Sequence, residues 1–302
     1  MKAPGENAVA IGGVGGSGTR LVAQIVDRLG FFIGHNLNHA LDNLYFTLLF
    51  KRPLWFRRFP TDSEVSAAIR LFREAMTAGL SGQVTQEQED YVMAIADQVE
   101  SAGMWIGVDT AVAEEFLASM PPNFAKWIGW GWKEPNTHIF LPQLATEVEH
   151  LKYIHVIRNG LDIAFSKNQQ QLKNWSPYVC ERAFDRRRAV PPQSLNYWIT
   201  ANNRAIEMGT KHLGDRFLLL NCDHLFRSPR EGVQVVADFL EVGVSRDAAD
   251  DLAALVAPNS TGRWQQHGIE MFSDTQLEAV RKLGFDTFAE IERSKIQQEY
   301  PV

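Results

Sequence analysis

A mostly parallel α/β sheet with helices on both faces, in three layers, is the fold class that this 302-residue sequence predicts. Three observations lead there. Short apolar runs recur along the chain, segments with helical apolar spacing lie between them, and the first run passes directly into a glycine-rich loop and a helix start.

The runs at 9–12, 127–132, 153–157 and 217–220 have the brevity and composition of buried parallel strands. Residues 31–33 and 105–108 add two shorter strand candidates. Helical patterns occupy 137–148, 162–171 and 195–211. From about 35 to 104 the alternation stops. That stretch carries the breaker Arg52-Pro53, the turn Phe59-Pro60-Thr61-Asp62 and helical patterns at 65–76 and 86–99. It predicts a mainly helical insertion over the mouth of a site, within one domain spanning 1–302. The tail beyond Arg246 reads as helical, with a loop at 258–268. Ligands of such folds sit at the carboxyl ends of the strands.

Composition narrows the function classes. An apolar share of 45% and an aromatic share of 11% suffice for a sizeable core. The net charge of −6 argues against a general nucleic-acid binder, which would be basic. A small polyanion needs only a locally positive cleft, so the acidic balance does not oppose one. Cys180 and Cys222 are too few for a disulfide framework and neither belongs to a CxxC pair, which predicts a reducing compartment. The short polar start lacks a signal-peptide core, and no apolar run approaches bilayer length. A cytoplasmic protein is the expectation. No HExxH motif or cysteine–histidine cluster offers a metal cage, so no metal is expected.

Gly12-Gly13-Val14-Gly15-Gly16-Ser17-Gly18-Thr19-Arg20 is the most informative stretch. Glycines let backbone N–H groups close on an anion, and the helix start adds a favourable dipole. Three ligands compete. Gly13-x-Gly15-x-x-Gly18 fits a dinucleotide fingerprint, yet Phe31-Phe32-Ile33 is followed by Gly34-His35-Asn36 without the ribose-binding acid. A nucleoside triphosphatase loop requires Gly-Lys-Ser/Thr, and Gly18-Thr19-Arg20 lacks the lysine. A phosphosulfate is the third ligand that such a loop could hold. A second grip follows the strand at 153–157, where Arg158 and Ser166 are spaced to converge on one phosphate monoester. Asp162 caps or braces the helix between them. Without further context, an exposed arginine and a helix-face serine are the favoured account of this pair.

With these motifs in order, the chain resembles the bacterial-type sulfotransferases that use 3′-phosphoadenosine 5′-phosphosulfate (PAPS). Ser17-Gly18-Thr19 is similar to their 5′-phosphosulfate loop, and Arg158 with Ser166 to their 3′-phosphate grip. Trp132-Lys133-Glu134-Pro135 is similar to their lysine segment after the central strand. Leu220-Asn221-Cys222-Asp223-His224-Leu225 is similar to a later strand-to-turn segment. Ser260-Thr261-Gly262-Arg263-Trp264 is similar to their nucleotide-closing loop. The resemblance implies a P-loop-type fold. It also implies in-line sulfuryl transfer from PAPS to a hydroxyl or amine of a small-molecule or glycan acceptor, leaving 3′-phosphoadenosine 5′-phosphate (PAP). Donor binding then falls to Gly15, Gly16, Ser17, Gly18, Thr19, Arg20, Arg158, Ser166, Gly262, Arg263 and Trp264. One departure stands out. Many members carry a basic residue directly before Ser-Gly-Thr, where this chain has Gly16, leaving Lys133 or Arg20 to supply the charge.

For the acceptor proton, His35 is the first candidate, since an imidazole needs little tuning near neutrality. Asp42 and Glu134 are alternatives, and Glu134 reads rather as orienting Lys133. A loop histidine and a helix-surface Asp42 are the duller readings. His138 and His155 fit core or helix-face positions, and Trp127, Trp130 and Trp132 fit core or wall positions. The cationic–aromatic stretch 50–59 suits packed, snorkelling arginines better than acceptor or membrane contact. Arg182 and Arg186-Arg187-Arg188 read as a solvated face. A nucleotide-dependent kinase and a non-catalytic nucleotide-binding module are the alternatives to a sulfotransferase.

Overall fold

The computed structural model describes residues 6–101, 107–256 and 261–287. Five parallel strands form the sheet among them: β1 (Ala8–Gly13), β2 (Phe31–Phe32), β3 (Gly129–Lys133), β4 (Lys152–Ile157) and β5 (Phe217–Asn221), in the order β2-β3-β1-β4-β5. The chain leaves β1 toward β2 and β3, then crosses to β4 and β5 on the other side. Order therefore reverses at β1, and a crevice opens beyond its carboxyl end. Ile11 sits in register with Lys133 on one side and Ile154 on the other. The residues that follow β1, β3 and β4 consequently leave the sheet at one edge.

Strand alternation divides the core. Ala8, Ala10, Trp130, Trp132 and Tyr153 face one helical layer, whereas Val9, Ile11, Ile154 and Val156 face the other. Helix α1 (Thr19–Arg28) lies on the second face. The first face carries α2 (Leu44–Phe50), α3 (Pro53–Phe56), α4 (Asp62–Thr77), α5 (Gln86–Ser101), α6 (Thr110–Leu117), α7 (Leu141–Glu147), α8 (Gly160–Ala164), α9 (Gln170–Val179) and α10 (Val190–Leu213). Helices α11 (Cys222–Arg227), α12 (Pro229–Leu240) and α13 (Arg246–Ala253) return to the second face, and α14 (Asp274–Lys282) to the first. The result is the expected three-layer α/β fold.

The stretch 35–101 is helical and shares the sheet's core. Phe46 stacks on Trp132 at 5.6 Å, and Phe72 meets the same ring edge-on at 5.2 Å. Its turn works as read: Thr61 and Glu64 complete a capping box that starts α4.

Three expectations shift. The pattern at 137–148 divides into a 3-10 turn, Pro135–Phe140, and α7, because Pro142 in the first turn brings no N–H and must begin a new helix. The pattern at 162–171 breaks after Ala164, where the Gln169 amide ties the carbonyls of Ile163, Ala164 and Ser166. Ser166 thus lies in a loop rather than on a continuous helix. Of the strand candidate at 105–108, Trp105 and Ile106 lie outside the described residues, and Gly107 and Val108 are not in a strand.

Candidate active site

The loop after β1 is held open by glycine. Gly16 and Gly18 sit at φ 91° and 96°, left-handed conformations that a side chain would strain. A Cβ on Gly18 would collide with Cys222 Sγ. The Ser17 N–H donates to the Val14 carbonyl at 3.1 Å and closes the turn. Gly18 is the N-cap of α1 and no side chain caps it; the Leu21 N–H donates to the Gly18 carbonyl at 3.0 Å, which leaves the Thr19 and Arg20 amides to face an anion. The Ser17 hydroxyl is fully buried and makes no hydrogen bond among the described residues. A buried hydroxyl without a partner is costly, and an oxyanion seated in the loop would supply one. Loop geometry and orphaned hydroxyl together fit a bound oxyanion. Thr19 is buried at the same helix start and Arg20 is exposed beside it.

The missing basic residue at position 16 has a physical cause. Besides its positive φ, a Cβ there would stand 3.2 Å from Ile163 Cδ1. The positive φ and the close Ile163 methyl make a side chain at this point strained.

Arg158 follows β4 and is 6% exposed. Its guanidinium lies 3.3 Å from Asp162 and 3.7 Å from Asp223. Asp223 also accepts the Asn159 N–H at 2.9 Å, and burial pushes its carboxyl above the usual range, against Asn159 and Arg158. The buried Asp162 carboxylate accepts the Gly262 N–H at 2.9 Å and the Trp264 N–H at 3.2 Å, while Arg263 reaches the Asp162 carbonyl at 3.5 Å. Asp162 therefore clasps the 261–264 loop to the start of α8. Ser166 Oγ accepts the Asn168 N–H at 3.3 Å, next to Gln169. Ser260 lies outside the described residues.

A cavity of about 120 Å³ adjoins the glycine loop, lined among others by Gly15, Asp42, Lys51, Glu134, Gln171 and Trp175. The structure brings Lys133 and Asp42 together: the ammonium, 3% exposed, pairs with the Asp42 carboxylate and donates to the Ala40 carbonyl at 3.1 Å. Asp42, rather than Glu134, orients Lys133, because the Lys133 ammonium pairs with Asp42 while the Glu134 carboxylate takes its hydrogen bonds from Asn136. Glu134 turns instead to Asn136, accepting its N–H at 2.6 Å and its side-chain amide at 3.0 Å, with Lys51 at 3.9 Å. Burial pushes the Glu134 carboxyl up to about 7, opposed chiefly by Lys51 and reinforced by Asp42. His35 is exposed beside the edge strand, its ring 4.6 Å from Phe32, and is not among the residues lining this cavity.

Gln171 is the site residue that sequence reading missed. Its carbonyl oxygen accepts the Gly15 N–H, and its amide donates to Asn136 at 2.8 Å. The amide-rich run Asn168–Gln171 at a helix break was its signal. Arg52 is stacked 4.7 Å over Trp55 and donates to the Tyr91 hydroxyl at 3.1 Å, a packed arginine as expected. Trp130 and Trp132 are core, and His138 and His155 are fully buried. Among the described residues no three His, Cys, Asp or Glu side chains group as a metal site, and no helix is long and apolar enough to cross a membrane.

A family model described as "Sulfotransferase family" matches residues 8–246. Solved structures with similar folds include the sulfotransferase domain of the Synechococcus PCC 7002 olefin synthase, at 15% identity over 100% of this chain and 97% of that one, TM-score 0.41. The sulfotransferase domain from the curacin biosynthetic pathway matches at 14% identity over 98% of each chain, TM-score 0.42. Sulfotransferase STF9 from Mycobacterium avium matches at 10% identity over 99% of this chain and 78% of that one, TM-score 0.43. No curated protein matches the sequence.

Proposed function

Because the chain belongs to the sulfotransferase family, we propose that it moves a sulfuryl group from PAPS to a hydroxyl or amine of a small-molecule or glycan acceptor. The observation that supports the donor is that the glycine loop and Arg158 follow β1 and β4 at the same edge of the sheet. The glycine loop, with its orphaned Ser17 hydroxyl, would take the 5′-phosphosulfate through Gly15, Gly16, Ser17, Gly18, Thr19 and Arg20. Arg158 and Ser166, with Gly262, Arg263 and Trp264 clasped by Asp162, would take the 3′-phosphate.

Sulfuryl transfer, like phosphoryl transfer, rests on positioning and on neutralising charge on the leaving oxygen. Lys133 is assigned the neutralising role at the loop's flank, and Asp42 the role of holding it there. The acceptor would enter the cavity beside Gly15 and attack sulfur opposite the departing nucleotide. The two cysteines are free, in keeping with a reducing, cytoplasmic setting.

Calorimetry with 3′,5′-bisphosphoadenosine tests the donor. Saturable binding is expected, weakened by Arg158→Ala by roughly 10–100-fold, the worth of charge-assisted hydrogen bonds. Absence of binding to the wild-type protein, or magnesium-dependent ATP turnover in its place, would overturn the reading.

A further inference from the structure

We propose that Glu134 is the catalytic base, taking the proton from the acceptor hydroxyl as the oxygen–sulfur bond forms. This rests on the sulfuryl-transfer reading above, and it names a role that the family match does not assign.

Four observations carry it. Glu134 directly follows β3, and its N–H donates to the Ile11 carbonyl of β1 at 3.1 Å, so its backbone is fixed at the strand-order reversal. Its side chain is 1% exposed yet lines the cavity that Gly15 also lines. One hydrogen-bond chain runs from the Gly15 N–H through Gln171 and Asn136 to the Glu134 carboxylate. That chain sets the carboxylate's place relative to the loop that would hold the sulfuryl group. Each carboxylate oxygen accepts one bond from Asn136, which leaves lone pairs for an incoming hydroxyl.

The competing groups are differently engaged. Asp42 is hydrogen-bonded directly to the Lys133 ammonium, whereas the Lys51 ammonium stays 3.9 Å from Glu134, and the closer ion pair makes the poorer base. His35 packs on Phe32 outside the cavity lining. The charged and titratable groups around Glu134 are Lys51 at the end of α2, Asp42 before it, Lys133 on β3, Tyr153 on β4 and Tyr197 on α10. Burial dominates their sum and brings the carboxyl to about 7, suited to proton transfer near neutrality.

In the step itself, the acceptor O–H bond breaks and its proton passes to a Glu134 oxygen. The freed electron pair forms the bond to sulfur. The bond from sulfur to the 5′-phosphate oxygen breaks, and its electron pair leaves with the bisphosphonucleotide. Glu134 afterwards releases the proton to water through the cavity mouth.

The test uses PAPS with water as the acceptor, read as release of bisphosphonucleotide, beside an infrared titration of the buried carboxyl. Glu134→Gln should lower turnover about 10²–10⁴-fold and abolish the acidic limb of the pH profile. Its affinity for 3′,5′-bisphosphoadenosine should stay at the wild-type value. The infrared difference against wild type should show one carboxyl titrating near 7, and Lys51→Met should move it upward. Glu134→Asp, which keeps the charge, should retain a limb and so guards against a folding defect in the glutamine variant. Unchanged turnover and an intact limb in Glu134→Gln would overturn the proposal, as would a limb lost only in Asp42→Asn. Wild-type protein that binds no bisphosphonucleotide would overturn the donor reading instead, a distinct result.

Discussion

Gly16 stands directly before Ser17-Gly18-Thr19, where the family resemblance implies a basic residue, and its backbone favours glycine there. At φ 91° and close to Ile163, a lysine would be strained. Gly16→Lys should cost about 1–2 kcal/mol in urea unfolding without tightening bisphosphonucleotide binding. The buried histidines make a different prediction. His155 is held neutral between Tyr153 at 3.0 Å and Asn202 at 2.9 Å, with burial bringing it down to about 4, and burial likewise lowers His138. The unfolded chain therefore binds more protons between pH 6.5 and 4, and stability should fall as pH drops through that window. Urea midpoints at stepped pH would measure it. Glu134 has the opposite sign. Its raised folded-state value favours the native state below about 4.5, and that contribution is lost as pH rises through about 7. Glu134→Gln should accordingly gain stability relative to wild type across the same rise.

The start of α8 joins the segments of the proposed 3′-phosphate half. Asp162 takes two backbone N–H groups from the 261–264 loop while pairing with Arg158. Asp162→Ala should weaken bisphosphonucleotide binding by roughly 10–100-fold, from the loss of charged hydrogen bonds. Hydrogen exchange at the Gly262 and Trp264 amides should accelerate in the same variant. The sequence assigned Asp162 only to capping or bracing its helix, because a partner about a hundred residues away leaves no trace in local spacing. The break after Ala164 was hidden similarly. Residues 162–171 keep a helical rhythm, and only Gln169 folding back on three carbonyls ends the turn there.

Across the whole molecule, the helical stretch 35–101 and the sheet share one core. Phe72 touches Trp130 and Trp132, and Phe46 stacks on Trp132, so the stretch has no separate interior. We expect insertion and sheet to unfold in a single transition, with tryptophan fluorescence and far-ultraviolet dichroism coincident in urea. Phe72→Ala should cost about 3–5 kcal/mol and keep that coincidence. Two separate transitions would show that the stretch is a domain of its own.

Local chemistry already contained the strand–glycine loop–helix order, the apolar strands and the Arg158-Asp162-Ser166 spacing. Glycine conformational freedom, apolar periodicity and capping act over a few residues and can be read in order. The partners of the charged groups could not be read that way. Lys133 alone suggested a free cation and Glu134 its neighbourly brace. Parallel crossovers instead brought Asp42 to Lys133 and placed Asn136, Gln171 and Lys51 around Glu134. Burial and pairing set what a carboxylate or an ammonium can do, and both belong to the packed chain rather than to any segment of it.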